Sequence, residues 1–78
     1  MSVMIEIYYR KPADSQRETA INECLANHQG KVTYREDDSN ETICLTAEFH
    51  TRGDAQAAST ALRAIGEHVE GPSDYGEN

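Results

Sequence analysis

The sequence predicts an α+β fold in two layers, an antiparallel sheet with two helices on one face. Two observations carry this. Three segments, SVMIEIYYRK, KVTYRE and TICLTAEFH, alternate apolar and polar residues with a period of two, the mark of strands with one buried face. Two others, SQRETAINECLANHQ and AQAASTALRAIGEH, repeat apolar residues at spacings of three and four, which fits helices with a single packing stripe.

In the first segment Val3, Ile5, Ile7 and Tyr9 alternate with Met4, Glu6, Tyr8 and Arg10, so the chain opens as a strand. Pro12 interrupts it. Ser15 and Glu18 then form a Ser-x-x-Glu capping box, with Asp14 as a competing cap one residue earlier, and a helix begins. Its stripe contains Arg17, Ile21, Cys24, Leu25 and His28, and Gly30 supplies the left-handed residue that closes such a helix. About fifteen helical residues, roughly 22 Å, match the length of the first strand and can lie back along it.

KVTYRE and TICLTAEFH are joined by DDSN, a run of turn formers, and should pair as an antiparallel hairpin. Gly53-Asp54 caps the second helix, whose stripe is Ala58, Ala61, Leu62 and Ile65, ending near Gly66. EHVEGPSDYGEN closes the chain either as a frayed tail or as a short strand around His68 to Glu70 broken by Gly71-Pro72. The expected organisation is one domain over residues 1–70 and a flexible acidic tail over 71–78.

The order β-α-β-β-α, with room for a last short strand, resembles the ferredoxin-like βαββαβ plan, and the resemblance covers nearly the whole chain. It is one of element order, without a family motif, and so implies a fold but no activity. In that plan the first and third strands are central; here they are the most apolar, and KVTYRE has the charge expected of an edge. The expected core is Val3, Ile5, Ile7, Tyr9, Val32, Tyr34, Ile43, Leu45, Ala47 and Phe49, closed by Ile21, Leu25, Leu62 and Ile65. Parity then assigns the opposite, uncovered face to Met4, Glu6, Tyr8 and Arg10 beside Cys44, Thr46, Glu48 and His50, with Thr33 and Arg35 on the edge.

Composition narrows the function classes. A chain of 78 residues buries only about 60–65% of its unfolded surface, so its stability rests on a thin core or on self-association. Seven Lys plus Arg against fourteen Asp plus Glu give a formal charge of −7, which repels phosphate backbones and anionic lipid. Nucleic acid and membrane are therefore not expected as partners. The N-terminus has no basic leader and no apolar run is long enough to span a bilayer, so a cytoplasmic location with two reduced cysteines is expected.

Cys24, His28, Cys44 and His50 look like a metal set along the chain, but the fold splits them. Cys24 and His28 accompany the helical stripe, whereas Cys44 and His50 have the parity of the uncovered face, with the sheet between, so no metal is expected. Cys44 near Glu48 is not an activated thiol, His50 with Glu48 lacks an aligned nucleophile, and EDDSNE misses the glycine and terminal glutamate of a calcium loop. No catalytic set or cofactor site emerges.

Two surfaces remain. One is the uncovered sheet face, with Met4, Tyr8, Arg10 and His50 as contact candidates, used by a non-enzymatic interaction or regulatory module for homodimerisation or for a protein partner. The alternative is a small anionic metabolite held by Arg10, Lys11 and the start of the first helix. The plan also resembles ACT-type domains, which bind small regulatory ligands near the loop after the first strand; they carry glycine there, where this chain has Pro12-Ala13.

Overall fold

The computed structural model describes residues 2–75. It contains β1 (Ser2–Arg10), α1 (Ser15–Ala26), β2 (Lys31–Glu36), β3 (Thr42–Phe49), α2 (Arg52–Ala64) and β4 (His68–Tyr75). All neighbours in the sheet are antiparallel, in the order β2-β3-β1-β4, and the two helices pack on one face. The architecture is the ferredoxin-like two-layer sandwich. Its central strands are β1 and β3, in register from Val3 opposite Phe49 to Arg10 opposite Thr42.

The core lies between the layers. Val3, Ile5, Ile7 and Tyr9 from β1 and Ile43, Leu45, Ala47 and Phe49 from β3 are buried against Ile21 and Leu25 of α1 and Ala55, Ala58 and Leu62 of α2, with Val69 from β4 completing the cluster. The small residues of α2 let its backbone approach the sheet closely.

Local signals explain the helix ends, with some shifts from expectation. Asp14, not Ser15, caps α1: its Oδ1 accepts the Arg17 amide at 3.0 Å. Glu18 cannot complete the capping box because its carboxylate is taken by Tyr9 and Arg35. Thr51, not Gly53-Asp54, caps α2, accepting the Asp54 amide at 3.1 Å. At the end of α1 the left-handed residue is Gln29, φ 66°, and Gly30 donates to the Leu25 carbonyl at 2.9 Å. Gly66, φ 94°, closes α2 in the same way, with Glu67 donating to Leu62 at 3.0 Å.

Three further expectations are corrected. Tyr34 is 60% exposed instead of buried. The pairing of β2 with β3 steps from Val32–Ala47 to Tyr34–Thr46, so a bulge inserts one residue and reverses the parity of everything after it. Tyr34 and Glu36 therefore join the uncovered face, while Arg35 moves to the helix side and pairs with Glu18 at 3.0 Å. Ile65 is 58% exposed, because α2 ends at Ala64 and the capping turn carries it off the stripe; Ala55 and Ser59 take the buried positions.

The boundary expected at residue 70 falls inside β4. Residues 73–75 pair with Ser2 to Met4, and residues 76–78 of the expected tail lie outside the described residues. The strand crosses Gly71-Pro72 through a second bulge, at which Gly71 has φ 104° and Pro72 sits on an edge strand, the place in a sheet that tolerates a residue without an N–H.

Candidate functional site

The sheet face opposite the helices has no covering element among the described residues. Register brings its side chains together. Met4 lies between Glu48 and Ser73, Glu6 between Thr46 and Glu70, and Tyr8 between Cys44 and His68. Met4, Glu6, Tyr8, Cys44, Thr46 and Glu48 are all half-buried by their neighbours on the face.

Specific contacts order this surface. The Tyr8 hydroxyl donates to Glu6 Oε1 at 3.1 Å, and Thr33 Oγ1 donates to Glu48 Oε2 at 3.1 Å. The His68 and Tyr8 rings meet edge-on with centroids 6.0 Å apart, and His68 Nε2 is 2.7 Å from Glu70 Oε2. A shallow concavity of about 590 Å³ is lined by Met4, Glu6, Tyr34, Thr46, Glu48 and Glu70.

Burial, then the nearby Cys44 and Glu6, push the Tyr8 phenol well above its ordinary pKa. Burial also raises the Cys44 thiol, and Glu6 and Glu36 add to this against the opposing bond with Tyr8. Both groups are therefore neutral near pH 7, and the thiol is held away from its nucleophilic form. The face presents hydroxyl donors, carboxylate acceptors and two tyrosine rings.

Of the other sequence candidates, Arg10 stands at the end of this face, with the parity of Tyr8, and the rest lie at its rim or away from it. Arg10 is exposed at the end of β1, opposite Thr42, and His50 follows the end of β3 beside Ser2, Lys31 and Glu48. Lys11 Nζ donates to the Asp37 carbonyl at 2.6 Å. Near the start of α1, Asp14 places its own carboxylate on the Arg17 amide and donates its backbone N–H to the Tyr9 hydroxyl at 2.9 Å. The Arg17 guanidinium is held bidentately by Glu67 at 2.9 and 3.0 Å and lies 4.9 Å from the Tyr9 ring centre. An anion arriving there would meet a resident carboxylate.

Cys24 packs on the core from α1, and burial raises its thiol; His28 Nδ1 is 2.9 Å from the Cys24 carbonyl. Cys44 is across the sheet from them. Among the described residues no three His, Cys, Asp or Glu side chains converge as metal ligands. No described helix is long and apolar enough to cross a membrane.

Sequence reasoning missed Tyr34, Glu36, His68 and Glu70 as members of the face. His68 and Glu70 could have been found from the alternation His-Val-Glu, with Val69 directed inward. Tyr34 and Glu36 could not, because a bulge is defined by the partner strand. No family model matches the chain, and no curated protein matches it.

Proposed function

We propose that this protein is a small non-enzymatic interaction module whose uncovered sheet face receives a protein partner or a second copy. The observation that supports it most is the face itself. Three adjacent strands, β2, β3 and β1, present Met4, Tyr8, Cys44 and Thr46 with the exposed Tyr34 on one continuous surface, which mixes apolar and polar groups as docking surfaces do. Both cysteines are free thiols, which supports a reducing, cytoplasmic setting.

The test places a photo-crosslinking residue at Thr46 on the face and, separately, at Glu23, an exposed position on α1. Covalent adducts formed in cells from position 46 and not from 23 are expected. Equal or absent adducts at both positions, together with a concentration-independent sedimentation coefficient, would remove the reading.

A further inference from the structure

We infer that the occupant of this face is a basic segment of another protein, its arginine or lysine side chains seated among Glu6, Glu48 and Glu70. The inference rests on the interaction-module reading and narrows it to one kind of partner. It starts from how charge is divided between the two layers. Arg17 and Arg35 neutralise carboxylates on the helix side and at the hairpin, binding Glu67, Glu18 and Asp37. On the sheet face, Glu6, Glu48 and Glu70 line one concavity and are met by Tyr8, Thr33 and His68 instead. Lys31 stands opposite Glu48 at the edge and Arg10 opposite Thr42 at the far end of β1, while Glu36 adds a fourth carboxylate beside Cys44, so carboxylates outnumber the face's own cations.

A second copy fits this face poorly. A two-fold stacking of face on face would bring together two surfaces on which carboxylates outnumber cations, on chains that each carry a formal charge of −7.

Side-by-side pairing is opposed as well. β4 carries Pro72 and a bulge, and β2 carries a bulge with Lys31, Arg35 and Glu36. A short basic segment meets none of these obstacles. Its cations match the carboxylates, and the exposed Tyr34 ring lines the same concavity, where a guanidinium plane can stack on it. The acidic chain as a whole would speed the encounter.

The experiment titrates the full, 15N-labelled chain with a hexa-arginine amide and with a hexaglutamate peptide as control. Two triple variants are compared: Glu6→Gln/Glu48→Gln/Glu70→Gln on the face, and Glu23→Gln/Asp38→Asn/Glu41→Gln at exposed positions away from it. Each removes the same charge. Hexa-arginine should shift the amides of Glu6, Thr46, Glu48 and Glu70, and the face variant should weaken its binding by about tenfold or more while the control variant changes it by less than about twofold.

Equal weakening by both variants, or shifts centred on the hairpin and helices, would mean bulk charge attraction and overturn the inference. So would absence of binding. If the protein alone shows concentration-dependent broadening at Thr46 and Glu48, the module reading stands with a second copy as occupant, and the basic-segment inference falls. If the crosslinker at position 46 also captures nothing, both readings fall.

Discussion

The end of α1 allows a paired perturbation with opposite expected signs. Gly30 is the residue that sequence logic assigns to the left-handed position, yet that conformation belongs to Gln29, φ 66°. Gly30 is small for another reason. A Cβ there would stand 2.5 Å from Cζ and 2.8 Å from Cδ2 of the buried Phe49 ring. To restore van der Waals contact, the ring or the chain must move by about 1 Å in a close-packed region, and such overpacking costs about 1–3 kcal/mol.

Alanine also restricts the unfolded chain, which offsets about 0.5 kcal/mol, so Gly30→Ala should destabilise by about 1.5 kcal/mol. Gln29→Gly should do the reverse. It relieves a left-handed conformation that costs a residue with a side chain about 1–2 kcal/mol, less the extra unfolded entropy of glycine, for a net gain of about 0.5–1 kcal/mol. Urea unfolding reads both. With a slope of about 1 kcal/mol/M for a domain this small, the midpoint should fall by about 1.5 M for Gly30→Ala and rise by about 0.5–1 M for Gln29→Gly. A neutral Gly30→Ala together with a destabilising Gln29→Gly would refute the reasoning, the first by showing that the Phe49 ring does not crowd position 30 and the second that residue 29 is not left-handed.

The Ser59 hydroxyl is buried on α2 without a hydrogen-bond partner among the described residues, so Ser59→Ala should stabilise the fold by about 1 kcal/mol, read as a higher midpoint in chemical denaturation. Tyr34→Ser should change stability by no more than about 0.5 kcal/mol, whereas the several kcal/mol lost on truncating a core tyrosine would mean that the bulge in β2 is misplaced. The hydrogen-bonded Arg35 guanidinium, with Tyr9 also donating, holds the Glu18 carboxyl below its ordinary range. A depressed folded-state pKa adds stability that is present above the unfolded value and is lost as pH falls through the folded one. Arg35→Met should therefore flatten the acid limb of a stability-against-pH curve, and an unchanged limb would contradict the pairing. Burial, followed by Glu18, raises the Tyr9 phenol, so its contribution is present below the unfolded pKa and is lost as pH rises through the higher folded one. Tyr9→Phe should remove that alkaline loss, read by the same denaturation series.

Periodicity and turn chemistry determined most of the fold. The alternation of Val3 to Tyr9 and of Ile43 to Phe49 is local information, and it fixed which residues face the helices and that Tyr8 and Cys44 share the other face. Burying one side of a pleated strand leaves no other register for a chain with this pattern. The same local rules placed Ile21, Leu25 and Leu62 in the core.

What the sequence could not settle depends on partners distant in the chain. Asp14 replaces Ser15 as cap because Tyr9 and Arg35 draw Glu18 away. Tyr34 and Glu36 reach the open face because β3 forces a bulge on β2, and a single inserted residue inverts every side chain beyond it. His68 and Glu70 join that face because β1 supplies the edge that draws the chain beyond residue 70 into a fourth strand across Gly71-Pro72. The sequence by itself determined the two layers and the parity of the central strands; the tertiary structure alone decided which edge residues complete the acidic face, because pairing register at an edge is set by the neighbouring strand and not by the edge strand's own residues.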